Sequence, residues 1–482
     1  MTTYLPHTED EISAMLSEIG CKSLDDLHAA VPAGVFLEEG LDLPMGSSEA
    51  DVVRRIRELA AGNLYGEYTS AGIGSGLVCF AGGGAYDHYV PPVVSDLASR
   101  SEFVTSYTPY QAEVSQGVLQ ALFEYQTMVS RISGLPIANA SLYDGASALY
   151  EAVNMAISYT NRHDVWISCG VHPRWRSVLE TLVSGRDIGV HPIKLRGAST
   201  DWNDQQASPD LSPPAAIVIA YPNYLGALEK DIERVQELAA SLGALLIVAF
   251  DPISMGMLHT PGRYGADIAI AEGQSLGIGL SFGGPYLGIL SCREEYMRMM
   301  PGRVIGESVD GNAKRAYTMT LRTREQDIRR ERATSNVCTN QTLMAVTATI
   351  YLSWLGPAGL REVSRRCYSG AHYLYKLLCS IDGVEPFYDE SFFNEFALKL
   401  PVSSDILLAR LADDGFIGGV ALDDEYEQEC DSSLPHVAAV ASDTWHAGGR
   451  SAGSSNLLVA VTEKRTIQEI EAYASSFEKA LR

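Results

Sequence analysis

Ala244-Leu-Leu-Ile-Val-Ala-Phe-Asp-Pro252 is the stretch that decides the fold. Its seven successive apolar residues do not alternate with polar ones, which describes a strand buried on both faces under covering helices. Similar runs stand on either side: Asp164–Cys169 and Ala215–Ala220 upstream, Ile268–Ala271 and Tyr286–Ser291 downstream. Helical patterns fall before and between them, including Gln116–Ile132 and a helix opened by Ser141-Leu-Tyr-Asp-Gly-Ala-Ser147. Strands alternating with helices predict an α/β class with a mostly parallel sheet.

Further out the chemistry changes. Arg324-Glu-Gln-Asp-Ile-Arg-Arg-Glu-Arg332 reads as a charged helix, and a long helical region runs from about Gln341 to Ser380. Phe393–Leu400, Ser403–Asp414, Leu457–Val461 and Ile467–Leu481 predict a compact α+β unit. At the other end, Thr8-Glu-Asp-Glu11 is a capping-box pattern, and residues 49–62 look like an amphipathic helix. The expected domains are an N-terminal helical arm (1–70), a large α/β domain (71–330), and a long helix with a small C-terminal α+β domain (331–482). Residues 431–455, rich in Ser, Ala, Gly and Asp, are expected to form a mobile surface loop.

Sixty acidic residues against 36 basic ones give a net charge of −24. That balance disfavours nucleic acid and anionic membranes as partners, because phosphate binding needs clustered Lys and Arg. No stretch of eighteen uncharged apolar residues is present, and the first residues are polar and acidic, so a cytoplasmic location is expected. Eight cysteines are scattered without a C-x-x-C pair, which argues against a zinc ribbon or a disulfide framework. No metal site is expected.

Three features in order suggest a scaffold for pyridoxal phosphate (PLP). Asp144-Gly-Ala-Ser147 joins a turn to a helix start, where free N–H groups and the helix dipole can hold a phosphate. Asp251 follows a buried strand, where a carboxylate can pair with a pyridinium nitrogen. Both positions also suit an ordinary helix N-cap. The third feature, Gly265-Ala-Asp-Ile-Ala-Ile-Ala-Glu-Gly-Gln-Ser275, is a strand running into a polar turn where a working enzyme needs a lysine for its Schiff base. None stands there: the lysines are Lys22, Lys194, Lys230, Lys314, Lys376, Lys399, Lys464 and Lys479. Neither Gln274 nor Ser275 can form an imine, so the residues describe a non-catalytic copy of the fold.

Several motifs carry a more specific resemblance. Tyr107-Thr-Pro-Tyr-Gln-Ala-Glu-Val-Ser-Gln-Gly117, Ser141-Leu-Tyr-Asp-Gly-Ala-Ser-Ala148 and Arg324-Glu-Gln-Asp-Ile-Arg-Arg-Glu-Arg-Ala-Thr-Ser-Asn336 resemble the glycine decarboxylase P-protein family. So do Tyr4-Leu-Pro-His7, Phe392-Phe-Asn-Glu395 and Gly418-Gly419. The resemblance is to the family's N-terminal half, or its separate first subunit, and runs from the first residues to the last helix, interrupted mainly by a long region at 424–455. It implies the fold type I of PLP-dependent transferases, the aspartate aminotransferase architecture. It also implies a lysine-bearing second subunit that holds PLP covalently, in an α2β2 assembly, with Ser275 at or near the position of that lysine. Glycine is the implied substrate, and the lipoyl arm of the H protein the implied acceptor of the aminomethyl group.

What this chain adds to such an enzyme is open at this level. Tyr86, His88, Tyr107, Tyr110 and Glu113 are candidates to line an active site across a subunit interface, with an aromatic interface core as the competing reading. Asp144, Ser147 and Asp251 are candidates for a vestigial cofactor pocket. Arg329, Arg330 and Arg332 suit either an anion or a salt-bridged helix. Three further functions compete: an autonomous PLP enzyme using another lysine, a scaffold or regulator that has left glycine cleavage, and a simple binding module.

Overall fold

The computed structural model describes residues 6–37, 41–63, 77–202, 212–422 and 454–482. It divides into two units, Met1–Leu64 and Tyr65–Arg482. In the first, helix α1 (Glu9–Glu18) begins with the expected capping box: Thr8 Oγ1 accepts from Glu11 N at 3.3 Å, and Glu11 Oε2 accepts from Thr8 N at 2.7 Å. Helix α2 (Glu49–Ala60) is capped by Ser48 and leaves Val52, Val53, Ile56 and Leu59 exposed.

The second unit is organised by a seven-stranded sheet, whose first strand follows helix α3 (Gln116–Ser133). Its strands are β1 (Ile137–Ala138), β2 (Asp164–Ser168), β3 (Gly189–Ile193), β4 (Ala216–Tyr221), β5 (Leu245–Phe250), β6 (Ile268–Glu272) and β7 (Gly288–Cys292), in the order β1-β7-β6-β5-β4-β2-β3. The five strands from β2 to β6 are parallel, and β7 runs antiparallel to both β6 and β1. In β4, Ala216, Val218 and Ala220 face the core shared with helix α4 (Gly145–Thr160), whereas Ile217, Ile219 and Tyr221 face Val235 and Ala239 on the opposite side. Every residue of β4 and β5 is buried. Each such large apolar side chain contributes roughly 1.5–3 kcal/mol through burial, which is why an uninterrupted apolar run selects this position. Strand β3 escaped the sequence reading because it lies at the sheet edge, where His191 and Pro192 are tolerated.

A second, antiparallel sheet joins Glu385–Pro386, Glu395–Lys399, Asn456–Ala460 and Val420–Leu422, in that spatial order. The limit expected between residues 330 and 331 is crossed here. Val78–Cys79 pairs with Phe416–Ile417, and Phe80 stacks on Tyr473 with ring centroids 4.2 Å apart. Helix α5 (Thr342–Leu378) also serves two cores: Ala345, Ala348 and Tyr351 pack near the large sheet, and Ala371, Leu374 and Leu378 pack in the C-terminal core. It is interrupted at Gly356, whose φ is +58°, just before Pro357.

Two local expectations need correction. The charged helix at 324–332 is two short turns, Gln326–Arg329 and Arg330–Arg332, separated where Arg330 takes φ +53°. Before it stands an unexpected hairpin, Val304–Val309 with Arg315–Thr320. Asp310 Oδ1 closes its turn by accepting from Asn312 N and Lys314 N at 2.8 and 2.9 Å. Nearly all of the expected loop at 431–455, and of the long region at 424–455, falls outside the described residues.

Candidate functional site

The carboxyl ends of parallel strands are where α/β sheets place ligand sites. Here the segments after β2, β4, β5 and β6 deliver His172, Asn223 with Tyr224, Asp251, and Gln274 with Ser275 to one cleft, with Glu272 at the end of β6. Gly84 and Tyr86 cover it from the glycine-rich segment. Gly84, at φ +100°, lies so close to His172 that a Cβ would come within 2.7 Å of the imidazole, which explains the run of glycines.

Each wall is held by its own hydrogen bonds. His172 Nε2 donates to Gly83 O at 2.8 Å, and its Nδ1 accepts from Arg174 N at 3.1 Å. Burial pushes this imidazole down to about 4, so it is neutral. Gln274 clasps the covering segment: its Oε1 accepts from Tyr86 N at 2.9 Å, while Nε2 donates to Tyr86 O and Ile278 O at 3.1 and 2.7 Å. Tyr86 Oη donates to Glu395 at 2.8 Å, and Gly83 N donates to the same carboxylate at 2.6 Å. Burial lifts Glu395 to about 7. Asp251 Oδ1 accepts from Ile253 N at 3.0 Å, and burial raises its carboxyl above the ordinary range against the pull of His88.

The sequence candidates separate into three groups. Tyr86 and His88 turn inward. His88 Nδ1 meets Glu463 at 2.6 Å in a buried ion pair, with Cys367 Sγ 3.4 Å from the same carboxylate oxygen. Burial is the largest single influence on the His88 pKa and lowers it, but the charge and hydrogen bond of Glu463 together with the charges of Asp251 and Asp87 outweigh it, and the net direction is up. Beside it, Asp87 pairs with Lys464 at 2.8 Å and Arg465 at 3.0 Å. Tyr107, Tyr110 and Glu113 lie away from this cleft and are exposed, Tyr107 to 75%. The Tyr110 ring sits beneath the guanidinium groups of Arg303 and Arg322, at 5.5 and 5.8 Å. Asp144 is the N-cap of α4, its Oδ1 accepting from Ser147 N at 2.7 Å. Ser275 lines the cleft, buried, with its Oγ unpartnered.

These residues do not fit PLP. At the expected phosphate cradle, Glu272 Oε2 accepts from Gly145 N at 3.0 Å, the Asp144 carboxylate accepts from Ser147 N, and Ala148 N already donates to the main-chain carbonyl of Asp144. Glu272 Oε1 also accepts from Gln274 N and Leu287 N, at 3.1 and 3.0 Å. A carboxylate of the chain thus stands where a phosphate would. The Trp175 indole covers Gly145 closely enough to overlap any Cβ there. Among the described residues no lysine or arginine lines the cleft, and Lys230, the nearest preceding lysine in sequence, pairs with Glu390 at 3.0 Å. The cavity left is about 80 Å³, small beside the ~300–1,000 Å³ of ordinary ligand pockets.

Sequence reasoning missed His172, Trp175, Glu272, Glu395 and Glu463 as members of the site. His172-Pro-Arg-Trp175 directly follows a buried strand, and Glu272 ends one, so position relative to strand ends was the available signal. Glu395 and Glu463 reach Tyr86 and His88 across more than 300 residues, a pairing with no local signature.

Known proteins resemble the chain over nearly its whole length. A probable glycine dehydrogenase (decarboxylating) subunit 1 from Carboxydothermus hydrogenoformans is 42% identical, covering 97% of each chain. One from Moorella thermoacetica is 41% identical over 98% of each. A crystal structure of an inhibitor-bound glycine decarboxylase (P-protein) of the glycine cleavage system superposes with a TM-score of 0.84 at 41% identity, covering 99% of this chain and 100% of that one. A cysteine desulfurase from Escherichia coli, at 13% identity and TM-score 0.58 over 84% of this chain and 94% of that one, shares the fold alone. The family model for the glycine cleavage system P-protein matches residues 2–427, and the chain belongs to that family.

Proposed function

We propose that this chain is the first subunit of a two-subunit glycine decarboxylase, acting in glycine cleavage together with a lysine-bearing second subunit. The observation that carries the reading is the near full-length similarity to subunits of that name, joined to a cleft with Ser275 and no lysine among its lining residues. PLP, bound by the second subunit, supplies the electron sink for loss of CO2 from glycine. The aminomethyl group passes to the lipoyl arm of the H protein. The acid-lined cleft of this chain supports placing the cofactor on the partner, and two copies of each subunit form the proposed assembly.

The exposed Tyr107, Tyr110 and Glu113 give this chain its proposed part in the shared active site, at the interface. A glycine–bicarbonate exchange assay tests the assignment, with this chain, the second subunit, and their mixture, each supplied with PLP and H protein. Exchange in the mixture alone is the expected result. Exchange by this chain alone would overturn the subunit reading, and absence of exchange and of any complex would favour a scaffold. Light scattering of the mixture reads the stoichiometry.

A further inference from the structure

Three side chains from distant parts of the chain meet in the interior. His88 belongs to the glycine-rich segment, Cys367 to the second half of helix α5, and Glu463 follows the strand Asn456–Ala460. A ring nitrogen of His88, Cys367 Sγ and a carboxylate oxygen of Glu463 all lie within 4.8 Å of one another. Glu463 Oε2 is the atom they share, 2.6 Å from His88 Nδ1 and 3.4 Å from Cys367 Sγ. Its other oxygen is engaged separately, accepting from Tyr89 N at 2.8 Å. Water is largely kept out: the side chains of His88 and Glu463 are 3% and 8% exposed, and Cys367 is fully buried. His88 Nε2 is buried without a hydrogen-bond partner, and either ring nitrogen of a histidine can serve a metal.

We infer that His88, Cys367 and Glu463 form a zinc site that ties the glycine-rich segment to helix α5 and to the C-terminal sheet. Zinc holds sulfur at about 2.3 Å and nitrogen or oxygen at about 2.0–2.2 Å, so tetrahedral ligand atoms stand roughly 3.3–3.7 Å apart. Cys367 and Glu463 already have that spacing, and His88 and Glu463 need to part by less than about 1 Å. Thiolate, carboxylate and neutral imidazole together cancel the charge of Zn²⁺, and a neutral cluster is what an interior accepts. Without the ion, His88 and Glu463 keep the ion pair described above, and burial pushes the Cys367 thiol well up. Zinc displaces the protons of both ligands as it binds. Sulfur and imidazole select zinc over magnesium and calcium, which take oxygen shells. The expectation of no metal site rested on cysteine spacing along the chain, whereas Glu463 meets Cys367 and His88 across 96 and 375 residues.

Cobalt(II) titration of the full chain, stripped of metal by a chelator and kept reduced near neutral pH, reads the site without any activity assay. One ion per chain should bring up the visible bands of tetrahedral cobalt and a near-ultraviolet thiolate-to-cobalt band, and zinc should abolish both. Competition with a chromophoric chelator should give a zinc Kd on the order of 1 μM or tighter. Cys367→Ser should remove the thiolate band and weaken zinc about a hundredfold, more than the loss of a supporting contact costs. Cys338→Ser, at the exposed cysteine, should change neither. Zinc should also raise the melting temperature of the parent and not that of Cys367→Ser. If Cys367→Ser does not fold, His88→Gln takes its place, with zinc weakened by at least about tenfold. No thiolate band in the folded parent, a band that survives in folded Cys367→Ser or is lost in Cys338→Ser, or zinc affinity unchanged in folded His88→Gln would each overturn the inference. None of these results depends on whether the mixed subunits exchange glycine with bicarbonate.

Discussion

Glu395 sits fully inside the protein with only neutral donors, Gly83 N and Tyr86 Oη, on its carboxylate. Glu395→Gln keeps both contacts if the amide oxygen takes Gly83 N and the amide nitrogen donates to Tyr86 Oη. The expected change is within about 1 kcal/mol at pH 6, with a gain relative to the parent at pH 8, where the parent must bury a charge. Chemical denaturation at the two pH values checks this, and a variant equally destabilised at both would contradict it. Gln274→Ala is the contrasting case. It leaves Tyr86 N, Tyr86 O and Ile278 O without their partner, and is expected to cost on the order of 2–3 kcal/mol. At the interface, Tyr107→Ala should lower exchange activity of the mixed enzyme severalfold while leaving this chain's own melting temperature unchanged, since the ring is exposed. A melting shift with unaltered exchange would remove Tyr107 from the active site.

Helix α4 shows how an element's beginning decides what its end of the sheet can bind. Asp144 and Glu272 supply the anions that its first N–H groups attract, and Trp175 fills the space above Gly145. Gly145→Ala should therefore destabilise the protein by about 1–3 kcal/mol through overpacking. In a Trp175→Ala background it should be close to neutral. Equal penalties in both backgrounds would show that the indole is not the obstacle. This element was half legible in sequence. The turn Asp144-Gly-Ala-Ser147 announced a helix start, and the absence of lysine between Lys230 and Lys314 announced the missing imine. That the cradle is filled depends on Trp175 arriving from the helix Pro173–Val183 and Glu272 from the end of β6, which no local pattern encodes. Likewise β5 was readable because seven apolar residues run together, while β3 was not, because an edge strand has no such requirement.

Across the whole molecule, stability should lean toward mild acid. Burial raises Glu151, Glu229, Glu272 and Glu395 each to about 7, against an ordinary value of 4.5. The folded state holds these protons more tightly than the unfolded chain. Their stabilisation is thus complete below about 4.5 and lost as pH rises through about 7. The raised His88 acts in the same direction, its contribution present below 6.5 and lost above its folded value. Glu463 is pulled down by its pairing with His88 despite burial, so its contribution is present above 4.5 and lost as pH falls through its folded value. A melting temperature several degrees lower at pH 8 than at pH 6 is expected by scanning calorimetry. A flat or rising profile would show that these carboxylates are solvated. Domain limits were the least legible feature at this scale. The C-terminal core takes Val78 and Phe80 from far upstream, and α5 contributes to two cores.

The stack of Phe80 on Tyr473 has a consequence during synthesis. About 390 residues separate the two rings. At ribosomal speeds of ~5–20 residues per second, Phe80 leaves the ribosome roughly 20–80 s before its partner exists. Through that interval a buried aromatic of the finished protein is without its stacking partner, while the large sheet can already assemble behind it. The nascent chain therefore presents a defined greasy segment to chaperones. A circular permutant that brings residues 78–80 next to the final helix should shorten that exposure and raise the soluble yield.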